Sequence, residues 1–506
     1  MPCGSYTIGM DAIDNLPGDL KKWAQVLTDA YAALQDAKLR IEALEKENAE
    51  LKKQLADTTS KVVEPYSLRA EEQRQQQRGQ RKKRKETRTH RRGRIANEEK
   101  IKRAEQTEDV YPQGVPIDQC RLSHVRVVWR LLDGRAVLVA YRIFRGPKKQ
   151  YGVIPGVLGR SEYGLEIVVE LAFLVQQVGL SFDKLCLTVG FLQNLKLGKS
   201  QVEALLKQLA LCWGEEFDVL CALLANALVV HTDETSWSIN SVWVFLSEKA
   251  RVLFFGVHKD AKTLKAILDP ETFAGIVFSD DAAVYANFTQ AQKCWAHLLR
   301  KAIKLTLQAP GQEGYRRFAD ELLRIYHEAK RIQRDRRLSD AGRARKEKEL
   351  LRRLFALCAP VCREQAESKG LAHDWWLLAE ELVRLALRDE LFTFVLHESV
   401  PPPNGAKPAW DGTNNAAERK LRSEAQARAT GRTSKTAAGA RRTTILSSVF
   451  ESLRLYLAKY TLSSVIEEIR RWQETGRSCF RELLDKLKIP PPNHSILDRV
   501  LPQPSG

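Results

Sequence analysis

The chain has no apolar run long enough to cross a membrane. Its longest mainly apolar stretch, Val219–Val230, covers 12 residues and is interrupted by Asn226, well short of the ~20 that a spanning helix needs. The opening residues, Met1-Pro2-Cys3-Gly4-Ser5, lack a basic segment followed by an apolar one, so no signal peptide is expected. Cysteine is scarce and scattered, with nine residues at 3, 120, 186, 212, 221, 294, 358, 362 and 479. An odd, dispersed set reads as reduced thiols and a cytoplasmic protein, not as a disulfide framework. There is no Gly-x4-Gly-Lys-Ser/Thr loop and no His-Glu-x2-His, so neither a phosphate-cradling loop nor that zinc-hydrolase signature is available. Acids are the minority charge, 63 Asp and Glu against 81 Lys and Arg, for a formal charge of +18. An excess of this size points to a polyanionic partner, double-stranded DNA being the simplest.

With 506 residues and 44% apolar content, several domains with packed cores are expected. Residues 1–18 read as a flexible start and 19–60 as a coiled coil. Seven-residue spacing puts Leu27, Leu34, Ile41, Asn48 and Leu55 at a positions, and Trp23, Ala30, Ala37, Leu44 and Leu51 at d. One Asn at an a position favours a parallel two-stranded register, because its amide can pair with its mate. A homodimer or a higher assembly on DNA follows, with one long amphipathic helix packed on its own chain as the competing reading.

Residues 61–110 read as a basic linker. Between Arg78 and Arg94 there are ten Lys or Arg and one acid, Glu86, including Arg81, Lys82, Lys83, Arg84, Lys85, Arg91 and Arg92. With no apolar face to bury, the segment suits phosphate neutralisation without sequence choice. Residues 111–162 form a small β-rich module, because Asp133-Gly134 separates two apolar runs as a hairpin turn does. Residues 163–225 are helical, with helices at about 164–178, 181–195 and 201–225 and Ser200 as a candidate N-cap. A helix-turn-helix and an ordinary bundle both fit this stretch.

The most informative run is Val229-Val230-His231-Thr232-Asp233-Glu234-Thr235. An apolar strand ends in an acid, and alternation sends Glu234 to the face opposite Asp233. Two β-like runs, 242–246 and 252–257, and a helix at about 261–268 follow. A fourth strand, Ile276-Val277-Phe278-Ser279, then delivers Asp280, with Asp281 as a rival that alternation does not exclude. A third acid, Glu418, stands at a helix start where Asn414 or Asn415 can cap. Strand, strand, strand, helix, strand with acids on the first and fourth is the layout of an α/β ribonuclease-H-like core. Three carboxylates suit Mg²⁺ or Mn²⁺, which prefer oxygen ligands, and two such ions can drive phosphodiester chemistry. The core is expected at 226–305 and 410–460, with a large helical insertion at 306–409 and a helical tail at 461–506. Within the insertion, helices are expected at 315–337, 340–355 and 374–395, with a basic face of Arg331, Arg334, Arg336, Arg337, Arg343 and Arg345.

At these residues the chain resembles transposases of the bacterial insertion sequence sixty-six family, which are Asp-Asp-Glu enzymes. The matching stretches are 231–235, Ser279-Asp280 with Tyr285, Cys294-Trp295-Ala296-His297-Leu298-Leu299-Arg300, Asn414-Asn415-Ala416-Ala417-Glu418-Arg419, and the basic stretches 431–435 and 439–442. The resemblance implies that Asp233, Asp280 and Glu418 are a metal-binding catalytic triad. It implies DNA cleavage at element ends and transfer of the 3′-hydroxyl strand to target DNA. Arg419, Arg422, Arg428, Arg432, Lys435, Arg441 and Arg442 lie on or after the Glu418 helix and are candidate phosphate contacts.

Family members usually carry a four-ligand zinc cluster ahead of the catalytic core. Cys120 and His124 are too few for one here, so the β-rich module is expected to persist without metal and no zinc is expected. Cys294-x2-His297 lacks a second ligand pair and reads as a core Cys and a His near the DNA face. The alternative from another class is a dimeric DNA-binding protein that has lost catalysis, a repressor or domesticated factor. A nuclease without strand transfer is the third reading.

Overall fold

The structure, a computed structural model, describes residues 39–40, 42–51, 97–363, 369–397, 401–405 and 410–501. The chain divides into two units, Met1–Gln73 and Arg74–Gly506. In the first unit, residues 42–51 are helical. Leu44 and Leu51, seven residues apart, are 59% and 56% exposed, and the heptad reading puts both at d. The rest of the expected coiled coil, and the basic residues Arg81 to Arg92, lie outside the described residues.

The second unit opens with helix α1 (Asn97–Lys102) and a three-stranded sheet of β1 (Gln106–Val110), β2 (Arg121–Leu132) and β3 (Arg135–Arg145), in the order β1-β3-β2. Asp133 and Gly134 have φ of 50° and 75°, as a two-residue type I′ hairpin turn requires. β1 pairs in parallel with β3, Gln106 opposite Val139. It therefore falls in the stretch expected as linker, ahead of the expected start of the module.

Helices α2 (Leu165–Gln176), α3 (Phe182–Gln193), α4 (Lys199–Cys212) and α5 (Gly214–Ala225) follow. Two expectations change here. Helix α4 starts before Ser200 and is capped at Gly198, whose N–H donates to the Gln201 side chain at 2.8 Å. The single helix expected over 201–225 breaks at Trp213-Gly214. Glycine is a poor helix former, and the buried Trp213 ring packs edge-on against Phe450 with centroids 5.1 Å apart.

The second sheet holds β4 (Val229–Ser236), β5 (Ser241–Ser247), β6 (Arg251–Val257), β7 (Ile276–Ser279) and β8 (Ala291–Lys293), in the order β6-β5-β4-β7-β8. The first three are antiparallel, while β4, β7 and β8 run parallel. Helix α6 (Ala261–Ile267) links β6 to β7, its start capped by the Asp260 side chain accepting from the Thr263 N–H at 2.7 Å.

Apolar residues load both faces of this sheet. Trp243, Phe245 and Phe254 share one continuous core with α2–α5 and with the later helices α13 (Ala437–Tyr456), α14 (Leu462–Thr475), α15 (Cys479–Lys486) and α16 (Leu497–Val500). Ile276 and Phe278 look to the other side. They pack with α7 (Trp295–Gln308), α8 (Glu313–Arg334), α9 (Asp340–Arg363), α10 (Leu371–Leu387) and α11 (Thr393–Leu396). Val244 and Leu253 on that side meet Ala417 and Leu421 of α12 (Asn415–Ala429). The molecule is thus a mixed α/β fold with helices on both faces of a five-stranded sheet. Among the described residues no helix is long and apolar enough to cross a membrane.

The outer edge of β6 is covered by side chains from α13. Thr444, Ser448 and Ser452 accept the N–H groups of Phe255, Leu253 and Arg251, each at 3.0 Å. Four helical residues advance ~6 Å and two strand residues ~6.8 Å, so the two repeats stay nearly in step. Ser448 and Ser452 also donate to the Leu253 and Arg251 carbonyls at 3.2 and 3.0 Å. An edge strand left open is a template for unwanted pairing. This hydroxyl row closes it.

Candidate active site

Asp233 lies on β4 opposite Val244, and Glu234 lies opposite Trp243. Directly opposed residues share a face. Asp233 therefore sits on the side covered by α12, and Glu234 on the aromatic side. Glu234 is buried, accepting from the Tyr285 hydroxyl and pairing with Lys259 at 2.9 Å. That pairing lifts the Lys259 ammonium above its usual range.

Asp280 follows the last residue of β7 and is half-buried. One carboxylate oxygen accepts from the Ala282 N–H at 3.1 Å. Asp281 is turned to Arg384, with which it forms an ion pair. The rivalry that alternation leaves open is thus separated in space. Lys293, only 4% exposed, donates to the Asp280 carbonyl at 3.1 Å and to the Ser279 hydroxyl at 3.3 Å. Burial lowers its pKa.

Glu418 is in the first turn of α12, where helix N–H dipoles favour a negative charge. Asn414 occupies the N-cap position, but its side chain does not cap. It donates instead to the Thr232 carbonyl at 2.7 Å, and the Asn414 N–H donates to Cys294 Sγ at 3.1 Å. Strand β4, the start of α7 and the start of α12 are stitched together at this point. Arg300 of α7 donates to both Glu418 oxygens, at 3.0 and 3.1 Å.

Asp233 responds to its burial and to the charges around it. Burial first, and then the negative charges of Glu234, Asp280 and Glu418, push the Asp233 carboxyl up to about 7, against the lowering effect of the Glu234 N–H. Burial is the larger cause, and two of the neighbouring charges are met by cations, Glu234 by Lys259 and Glu418 by Arg300.

By spacing alone, Cys294-x2-His297 lacks a second ligand pair. Cys294 is in the core at 2% exposure, as expected. Yet its Sγ lies 3.8 Å from Glu418 Oε1, and His297 Nδ1 lies 3.7 Å from the same oxygen. The matching motif around 294–300 is visible in the sequence. What it meets is not, because Glu418 arrives from a helix beyond the whole insertion. Lys259 and Lys293 carry no signal of this kind.

The basic candidates divide. Arg419 and Arg422 are exposed on α12 and make no ion pair among the described residues. Arg428 donates to the Ser236 carbonyl at 2.8 Å, and Arg432 to the Gly179 carbonyl at 2.7 Å. Lys435 is exposed. Arg441 pairs with Asp498 at 2.7 Å. Arg442 lies 3.6 Å from Glu203 and over the Phe182 ring. Within the insertion, Arg343 is no part of a basic face. It is 2% exposed and donates to the carbonyls of Ile332, Gln333 and Asp335 at 3.3, 3.0 and 3.1 Å. It satisfies the open C-terminal carbonyls of α8.

The fold is a mixed α/β one, with Asp233 within β4, Asp280 just after β7 and Glu418 in the first turn of α12. The family model described as Transposase IS66 family matches residues 161–442, more than half of the chain, and the chain belongs to that family. No curated protein matches it. The role that follows is that of a transposase, with DNA as its partner and divalent metal as the family's usual requirement.

Proposed function

We propose that the chain is a DNA transposase whose catalytic residues are Asp233, Asp280 and Glu418, set in a ribonuclease-H-like core. The observation that carries this reading is the placement of Asp233 and Asp280 on or just after the neighbouring parallel strands β4 and β7, with the helix of Glu418 tied to β4 by Asn414. The Asp233 carboxyl, raised to about 7 by burial and then by the charges of Glu234, Asp280 and Glu418, is consistent with that placement. The strand order β6-β5-β4-β7-β8, antiparallel then parallel, supports the same reading.

The donor set fits Mg²⁺ or Mn²⁺, since carboxylate oxygens are the ligands that such hard cations prefer. Once bound, such ions stabilise charge on the attacking and leaving oxygens of a phosphodiester. The protein supplies the rest. Asp233 and Asp280 are presented from neighbouring parallel strands, and Glu418 from a helix start anchored to β4 through Asn414. Tyr285 and Lys259 hold Glu234 on the aromatic side of the sheet. Arg419 and Arg422, exposed beside Glu418, contact DNA phosphates, and the basic segment 81–92 adds affinity without sequence choice. Water attacks the phosphodiester at the element's end and leaves a 3′-hydroxyl. That hydroxyl then attacks a phosphodiester of target DNA. The coiled coil pairs two subunits, so that two ends are handled together.

The test uses purified protein, Mg²⁺ and DNA carrying the inverted ends that flank the coding region. Strand cleavage and end joining are expected from the unaltered chain. Asp233→Asn, Asp280→Asn and Glu418→Gln should each lose both while still binding DNA. Cleavage retained by Asp233→Asn would remove that residue from the mechanism, and no cleavage by the unaltered chain would overturn the reading.

A further inference from the structure

We propose that Cys294, His297 and Glu418 form a site for one borderline-soft divalent cation of the Zn²⁺ class, beside the carboxylate triad and sharing Glu418 with it. One ligand atom from each residue can be chosen so that all lie within 4.8 Å of one another. The Sγ–Oε1 and Nδ1–Oε1 separations are 3.8 and 3.7 Å. Zinc bonds of roughly 2.0–2.3 Å at tetrahedral angles hold ligand atoms roughly 3.3–3.8 Å apart, so the two separations to Oε1 already match a coordination shell and the sulfur–imidazole pair, within 4.8 Å, closes by at most about 1 Å.

The elements favour the same occupant. Cys294 caps α7 and His297 is the third residue of that helix, a three-residue spacing that puts both on one side. His297 Nδ1 is shielded from solvent and has no hydrogen-bond partner among the described residues. The Asn414 N–H, donating to Sγ at 3.1 Å, aims the sulfur as an outer-shell donor does. A thiolate, an imidazole and one carboxylate select Zn²⁺ over Mg²⁺. Three protein ligands leave a fourth position for water or a substrate oxygen. Binding releases the Cys294 thiol proton to solvent.

Sharing has a consequence, which rests on the transposase reading while the site itself does not. Glu418 cannot serve a soft ion on the Cys294 side and hard ions on the Asp233 side with the same geometry. Arg300 spans both of its oxygens and must yield one of them. Zinc is then an antagonist of magnesium-dependent cleavage, acting through Glu418.

The test is a Cd²⁺ titration of the full chain without DNA, read by thiolate-to-Cd²⁺ charge-transfer absorption. One equivalent per chain is expected, with the band lost in Cys294→Ser. Affinity should fall by at least about 10-fold in His297→Ala and in Glu418→Gln. His297, whose side chain is 41% exposed, provides the decisive variant where Cys294→Ser does not fold. A band unchanged in His297→Ala and Glu418→Gln belongs to another cysteine and overturns the site. In a second arm, the Zn²⁺ concentration that halves Mg²⁺-dependent cleavage should rise by at least about 10-fold in His297→Ala, each variant measured against its own zinc-free rate. Equal zinc sensitivity in both proteins overturns the shared role of Glu418. If Cd²⁺ binding follows Cys294 and His297 while the chain cleaves no DNA, the site stands and the transposase reading fails.

Discussion

Asn414 ties the helix of Glu418 to the strand of Asp233, its side-chain amide donating to the Thr232 carbonyl at 2.7 Å. Both groups are buried, at 1% and 0% exposure. The residue sits where a helix cap belongs and spends its side chain on register between two elements instead.

Asn414→Ala should therefore do two things. It strands a buried carbonyl, at a cost of about 1–3 kcal/mol, visible as a lower midpoint in urea unfolding. It also loosens α12 against β4, so cleavage should fall further than the lost stability explains. An unfolding midpoint equal to that of the parent would show that the amide bond holds nothing.

The Asp233 carboxyl sets a pH dependence. Its pKa is raised to about 7 by burial and then by Glu234, Asp280 and Glu418. Below that pH it is protonated in the metal-free protein and must release the proton to bind a cation. Apparent Mn²⁺ affinity should rise about 10-fold per pH unit up to ~7 and then level off. Calorimetry in buffers of different ionisation enthalpy should show proton release below ~7 and little above. In Asp280→Asn the break should move to lower pH, because one repelling charge is gone.

The hydroxyl row on α13 is open to a stability test. Ser448→Ala leaves both the N–H and the carbonyl of Leu253 without their side-chain partner. Loss of about 1–3 kcal/mol is expected, together with a greater tendency to aggregate as the β6 edge opens. A variant as stable and as soluble as the parent would mean that the edge is closed by other means.

Arg343 distinguishes a structural cation from a DNA contact. Arg343→Ala should lower thermal stability by removing donors from three carbonyls at the end of α8. The salt dependence of DNA binding should not change, whereas a true phosphate contact would reduce that slope by about one.

Much of this arrangement is legible in the sequence. Four of the five strands of the large sheet announce themselves by apolar runs, and the Asp133-Gly134 turn by its residue types. The opposite orientations of Asp233 and Glu234 follow from strand alternation. The short elements are silent for physical reasons. β8 is Ala291-Gln292-Lys293, three residues with no apolar pattern, and β1 is Gln-Thr-Glu-Asp-Val on an edge, where charge is tolerated. The break at Trp213 is hidden because both flanks read as helix. Asp281 meets Arg384, from the far end of the insertion, a contact that no local pattern foretells. The contact of Cys294 and His297 with Glu418 is invisible for the same reason. Tertiary packing, and not local pattern, joins α7 to α12.

Asp233, Asp280 and Glu418 are proposed to hold the same metal centre. Anomalous scattering from crystals of the full chain grown with Mn²⁺ tests it most directly. Manganese peaks coordinated by oxygens of all three side chains are expected. Peaks bound by Asp233 and Asp280 with Glu418 remaining on Arg300, or no peak at these acids at all, would contradict it.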